Sequence, residues 1–186
     1  MPSVSIGKFI PVAVMVGVLG ALYVMVGARL NFILWVPFIS WALFFMAGAK
    51  YSRLHKEIIG LTGGLFFAVV LLYLLPFFGN IFGATWALPV LVFLAVFFIV
   101  LLELTDWFEL APAYFFGFAV YFAVLFGGSA PAQMGWGNIF ACWYLLMLGL
   151  GLGVVTQFLR NAIFGSLRVP PEQRQTVFDK ENKITV

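Results

Sequence analysis

The sequence predicts an all-α membrane protein with six transmembrane helices, and three observations lead to this prediction. Hydrophobic residues make up 64% of the 186-residue chain and charged residues only 9%, whereas about a quarter of the residues of a soluble domain are charged. The apolar residues form continuous runs that can cross ~30 Å of hydrocarbon at ~1.5 Å per residue. These runs lack the polar–apolar alternation of a membrane barrel, so helices are the remaining way to satisfy the backbone in lipid.

Six apolar runs are long enough to be spans. Their approximate bounds are Phe9–Ala28, Phe32–Ala49, Ile58–Phe78, Thr85–Leu104, Leu110–Phe126 and Ile139–Ile163. The first run follows Lys8, as the core of a secretory signal would, but it is longer than such a core and "VGARL" is a poor cleavage site. We therefore expect it to be retained as a helix.

The predicted organisation is one transmembrane domain over residues 1–168, with halves at about 8–78 and 85–165. Residues 169–186 form a cytoplasmic tail that breaks at Pro170 and Pro171 and carries both signs of charge. With both termini cytoplasmic, every Lys and Arg except Arg29 falls on the inner side, as the positive-inside rule requires. The outer loops, residues 75–86 and 127–138, are almost uncharged and are expected to lie close to the bilayer surface.

Two stretches of the chain resemble each other. Residues 37–48 read "PFISWALFFMAG" and residues 112–123 read "PAYFFGFAVYFA", and they match best with Ser40 set against Gly117. The matching segments are the second and fifth spans, so the repeating unit has three helices. Because three is odd, the second half enters the membrane from the opposite side, and an inverted repeat is predicted.

The third helix of each half carries a pair of glycines spaced four residues apart, which lets helix backbones approach closely in lipid. The predicted helix-packing residues are Gly60, Gly64, Gly149 and Gly153.

Three segments together resemble a known family. They are "WVPFISWALFFMAG" at 35–48, "KYSRLHKEIIGLTGG" at 50–64, and "PAYFFGFAVYFA" followed by Gly127 and Gly128. They are similar to an uncharacterised family of bacterial inner-membrane proteins, the domain of unknown function numbered one thousand ninety-seven. The resemblance covers most of residues 9–165 and implies a six-helix protein of the bacterial inner membrane. It implies no activity and no functional residues.

Catalytic and metal chemistry find little support in the sequence. His55 is the only His and Cys142 the only Cys, and in the predicted topology about one bilayer thickness separates them. They therefore form neither a catalytic dyad nor a shared metal site. We expect no enzyme activity, no metal and no cofactor, and no nucleic-acid motif is present.

Acidic and basic residues meet in the predicted inner loops. The segment "ELTDWFEL" lies beside the basic connection between the second and third spans, and we expect the two to pair. The predicted pairing residues are Lys50, Arg53, Lys56, Glu103, Asp106 and Glu109. Cation binding and coupling chemistry are the alternative functions of this cluster.

No span carries a charge at its centre, which counts against ion-coupled transport. The candidate pore-lining residues are polar or aromatic side chains on the repeated spans or beside the glycine face. They are Ser40, Phe44, Thr62, Phe118 and Tyr121. The hydroxyls could equally form hydrogen bonds between helices, and the rings could form a hydrophobic gate or simply fill the core.

These observations favour a channel-like facilitator for a small uncharged solute or gas. The small-residue faces favour self-association or membership of a larger membrane complex. The alternative is an accessory or structural subunit that stabilises another membrane protein and transports nothing itself. The sequence does not name the solute.

Overall fold

A computed structural model describes residues 4–128, 136–171 and 174, and every regular element in this part of the chain is helical. The elements are α1 (Ile6–Arg29), α2 (Trp35–Met46), a 3₁₀ turn (Tyr51–Arg53), α3 (Leu54–Phe82), α4 (Ala84–Leu102), α5 (Ala111–Phe126) and α6 (Trp136–Ser166). The predicted all-α class is confirmed. Parts of the second outer loop (129–135) and of the tail (172–173 and 175–186) lie outside the described residues.

Four of these helices, α1, α3, α4 and α6, are long and apolar enough to cross a membrane by length and composition. Helix α2 has 12 residues and α5 has 16, which at ~1.5 Å per residue gives about 18 and 24 Å. Neither reaches across ~30 Å of hydrocarbon alone. The second predicted span, Phe32–Ala49, therefore extends beyond both ends of the helix that the structure shows there, Trp35–Met46.

Helix α2 is short because the backbone closes it with a Schellman motif. Gly48 has φ +93°, and the amide of Ala49 donates to the carbonyl of Phe44 at 2.9 Å. This left-handed turn satisfies the last carbonyls of the helix and ends it. The same motif ends α1 at Asn31, whose φ is +54°, and so delays the start of α2.

The predicted outer loop over residues 75–86 is wrong. Helix α3 continues through Pro76 as far as Phe82, and α4 begins at Ala84. Gly83, with φ +77°, is the only residue between them. A proline is tolerated within a membrane helix because neighbouring groups compensate the lost hydrogen bond, so Pro76 did not mark a loop.

Helices α3 and α5 run parallel and touch through backbone. A Cβ added at Gly64 would collide with the carbonyl of Tyr114 and the amide of Phe118, and one added at Gly117 would collide with the backbone of Leu61. A Cβ added at Gly60 would collide with the methyl group of Ala113. Such contacts bring two helix axes closer than side chains would allow.

Helices α2 and α6 form the second close parallel pair. A Cβ added at Gly149 would collide with the carbonyl of Pro37 and the hydroxyl of Ser40, and one added at Gly153 would collide with the ring of Phe44. Helix α4 packs on α3, and α1 packs on α6. The two glycine crossings therefore lie at the centre, with α1 and α4 outside them.

The outer faces of the bundle are covered with large apolar side chains. Phe93 and Phe97 on α4 stack at 6.2 Å between ring centroids, and both are exposed, as are Phe66 on α3 and Val14 on α1. An exposed apolar surface of this kind is stable only where lipid replaces water. The structure thus describes an apolar helical membrane protein.

Gly64→Ala tests the α3–α5 crossing. The added methyl would push Tyr114 and α5 away, and we expect it to lower the free energy of unfolding by about 1–3 kcal/mol, as overpacking does. Unfolding is followed by circular dichroism in detergent. Gly79→Ala on the same helix is the control, because nothing lies within 4 Å of its Cβ position. Equal stability of the two variants would contradict the close crossing.

Candidate functional site

Three of the five candidate pore-lining residues lie buried in the core. Ser40 and Phe44 are 0% exposed and Tyr121 is 2% exposed. Ser40 donates a hydrogen bond to the carbonyl of Pro37 at 3.3 Å, and Phe44 packs edge-on against Phe45 with 5.6 Å between centroids. The core is therefore closed at these three side chains.

The other two candidates lie elsewhere. Phe118 is half-buried, and its ring centroid is 4.8 Å from that of Phe122. Thr62 is on the outer surface, where its hydroxyl accepts a hydrogen bond from the indole of Trp143 at 3.1 Å. It belongs to a surface groove of about 350 Å³ between α3 and α6, whose other lining residues are Leu65, Phe66, Val69, Ile139, Phe140 and Trp143.

The structure encloses a set of polar atoms that the predicted site did not include. Both carboxyl oxygens of Glu57, the hydroxyl of Tyr114 and the amide oxygen of Gln157 are enclosed, and no hydrogen-bond partner for them exists among the described residues. Buried polar atoms usually have partners, so these three positions stand out. Glu57 could have been found from its spacing, because it precedes Gly60 by three residues and therefore shares its face of α3.

The predicted charge cluster forms one ion pair. Lys56 Nζ donates to Glu109 Oε1 at 2.7 Å, which ties the start of α3 to the segment before α5. Within the described part of the chain, no other ion pair joins the six residues predicted to pair. Lys50, Glu103 and Asp106 are exposed and Arg53 is half-buried. The hydrogen bond from Lys56 lowers the pKa of the Glu109 carboxyl.

The end of the bundle at which α3 and α5 begin is here called the basic end, after Lys50, Arg53 and Lys56. The ring of His55 lies there against Trp107, with 5.7 Å between centroids. Cys142, the other residue considered for catalysis, is buried within α6. Among the described residues, no three His, Cys, Asp or Glu side chains are grouped so that they could hold a metal ion.

The described fold defines a class, a helical membrane protein with a closed, glycine-packed core. Its family follows from comparison with known proteins. The model of the family "Protein of unknown function (DUF1097)" matches residues 13–161, so the chain belongs to this family, and the resemblance drawn from the sequence is confirmed. No curated protein and no solved structure matches the chain.

Lys56→Met tests the ion pair at the basic end. Without the hydrogen bond, we expect the pKa of Glu109 to rise towards its ordinary value. Since the folded-state pKa is the lowered one, the pair stabilises the protein above the ordinary pKa, and this contribution is lost as the pH falls through the lowered value. A ¹³C NMR titration of labelled carboxyls measures the change. Lys50→Met is the control, and an unaltered Glu109 pKa in Lys56→Met would contradict the pairing.

Proposed function

We propose that this protein is a gated facilitator for a small uncharged solute or gas in the bacterial inner membrane. Both termini lie in the cytoplasm, and the basic end faces the cytoplasm, in keeping with the positive-inside rule. The short helices α2 and α5 complete two inverted three-helix halves. The passage runs through the core between the two glycine crossings, and the described conformation is its closed form.

The packing of the helices supports the inverted repeat. The second helix of each half packs on the third helix of the other half, as α2 does on α6 and α5 on α3. When Ser40 is aligned with Gly117, Pro37 corresponds to Tyr114. A Cβ added at Gly149 would meet the Pro37 carbonyl, and one added at Gly64 would meet the Tyr114 carbonyl. Corresponding carbonyls therefore meet glycines on corresponding helices.

The enclosed polar atoms are the observation that carries the proposal. Glu57, Tyr114 and Gln157 each bury an oxygen without a partner among the described residues. A helical bundle that served only as a structural support would be more stable with apolar side chains of similar volume at these positions. Ionisable groups within a membrane protein, such as Glu57, usually face a substrate path or a water-filled cavity. They favour a passage that opens over a permanently sealed bundle.

Uncharged solutes fit the rest of the core. Ser40 and Thr156 are buried in the core, and the hydroxyl of each already donates a hydrogen bond to a carbonyl of its own helix. Phe44 and Tyr121 are buried aromatic residues of the same core. A ring-lined constriction excludes hydrated ions by dewetting and lets small neutral molecules pass when it opens.

An accessory subunit is the second candidate function, and the surface of α4 favours it. Its exposed face forms a shallow groove of about 610 Å³, lined by Pro89, Val92, Phe93, Val96, Phe97, Val100 and Leu101. A helix of another membrane protein, or of a second copy of this chain, could pack there. Lipid chains cover such a face equally well, so the facilitator remains the first proposal.

Flux through reconstituted protein tests the two functions. Vesicles containing the purified chain are mixed with hyperosmotic urea, a short alcohol or an ammonium salt, and volume changes are followed by stopped-flow light scattering. We expect faster equilibration than in empty vesicles for at least one solute. Tyr121→Phe should change that rate a few-fold, because it removes one hydrogen bond of about 1 kcal/mol between the hydroxyl and the passing solute.

The matched control is Tyr144→Phe, because Tyr144 is exposed on α6 with its ring against Phe32, and its hydroxyl should not affect flux. Ser40→Ala provides a second variant within the core. Normal flux in both Ser40→Ala and Tyr121→Phe would show that the passage does not run past these two residues. No flux above empty vesicles, together with co-purification of a different membrane protein, would favour the accessory subunit.

A further inference from the structure

Glu57 differs from the other buried polar residues of the core. It is 0% exposed, and neither carboxyl oxygen has a hydrogen-bond partner among the described residues. Ser40 and Thr156 are buried too, but each donates to a backbone carbonyl of its own helix. An ionised carboxyl group cannot be satisfied in this way, because it has no proton to donate.

The position of Glu57 places it at one end of the α3–α5 crossing. It lies in the first turn of α3, and Gly60 and Gly64 follow it on the same helical face at i+3 and i+7. Gly60 contacts Ala113 and the carbonyl of Leu110, in the first turn of α5. The carboxyl is therefore enclosed where the two helices begin, at the basic end.

The basic side chains near Glu57 are either paired with another residue or not hydrogen-bonded to its carboxyl group. Lys56 Nζ is paired with Glu109. Arg53 acts on Glu57 electrostatically, but its guanidinium donates to neither carboxyl oxygen. Helices α2 and α4 present no titratable side chain. The other titratable groups on α3 and on the elements around it are Tyr73, Tyr114, Tyr121, Cys142, Tyr144, Arg160, His55, Lys50, Tyr51, Glu103 and Asp106.

The protonation state of the enclosed carboxyl decides whether the crossing is stable. An ionised carboxylate without donors or a bonded cation loses its hydration and gains only the weaker attraction of Arg53, whereas a neutral carboxylic acid loses much less. Ionisable groups enclosed within membrane proteins typically serve proton relays or ion paths. The enclosed geometry thus suits the acid form.

We propose that Glu57 is a proton-binding site whose acid form holds the α3–α5 crossing closed at the basic end. On opening, the O–H bond of Glu57 breaks, the proton passes to water, and a carboxylate remains; no other bond changes. The carboxylate is then stabilised by water and by Arg53, which requires the first turns of α3 and α5 to separate. The gating role rests on the proposed passage, whereas proton binding does not.

The direction of the pH effect follows from linkage. The closed form holds one more proton than the open form, so raising the pH favours the open form. We therefore expect the crossing to loosen, and solute flux to rise, as the pH increases. Glu57→Gln mimics the neutral acid in shape and charge and should remain closed at every pH.

Infrared difference spectroscopy of the full chain in lipid vesicles tests the proton site. We expect a carboxylic-acid C=O stretching band that disappears as the pH is raised, is absent in Glu57→Gln, and persists in Glu103→Gln, whose carboxyl is exposed. A wild-type protein without this band, or a band that survives in Glu57→Gln, would overturn the proposal. Should Glu57→Gln fail to fold, Glu57→Asp must keep a titrating band at a shifted frequency, and its absence would count equally against the site.

Hydrogen exchange tests the gate. Amides around Gly60 and Gly64 should lose protection at high pH in the wild type, after correction for intrinsic exchange, and should stay protected in Glu57→Gln. Protection independent of pH in the wild type would overturn the gate even if the infrared band titrates.

Flux separates the gate from the proposed function. A titrating band and pH-dependent protection without any solute flux would refute the facilitator and leave the proton site standing. Flux with the same pH profile in the wild type and in Glu57→Gln would refute the gate and leave the facilitator standing.

Discussion

The direct contact between the backbones of α3 and α5 is the constraint on which the rest of the structure depends. Gly64 lies against the Tyr114 carbonyl and Gly117 against the Leu61 carbonyl, so each helix supplies a glycine to the other. Lipid gives helices no hydrophobic reason to associate, and close van der Waals packing must provide the affinity instead. The corresponding contact of α2 with α6 does the same on the other side of the core.

Close crossings also explain how two short helices are held at the centre. Helices α2 and α5 have too few residues to span a bilayer alone, but each is flanked by a longer helix, α6 or α3, and the described core residues join them into one cluster. The shortness of α2 comes from the turn at Gly48. Backbone that ends within a membrane protein must be enclosed by protein or line a cavity, and the long helices provide that enclosure.

Much of the fold could be predicted from the sequence. Backbone groups in lipid must form hydrogen bonds within a helix, and the thickness of the hydrocarbon sets the length of the apolar run that such a helix needs. All six predicted runs coincide with helices. Their ends were less accurate, since α3 continues past the predicted end at Phe78 to Phe82, and the turn at Gly83, with its positive φ, separates it from α4. Thr62 was predicted to line the pore, but its face of α3 is turned to the groove containing Trp143.

Glu57 was missed for a different physical reason. It follows Arg53 and Lys56 in the sequence, and a carboxylate among basic residues is normally a solvated partner. Lys56 instead reaches Glu109, and the helix turns Glu57 into the core beside Gly60. The three-residue spacing to Gly60 indicates the face of α3 that carries Glu57, but the structure was needed to show that Lys56 is paired and Glu57 is enclosed.

The closed core and the enclosed carboxyl are two aspects of one arrangement. Glycine contacts keep α3 and α5 so close that water has no access to Glu57, and an ionised Glu57 would oppose that closeness. In the proposed gate the crossing has two discrete states that differ by a proton, rather than a continuous range of separations, because packed interfaces do not deform gradually. A bundle needed only for support would be more stable with an apolar residue in this place. Retaining the carboxyl makes physical sense where the crossing has to open.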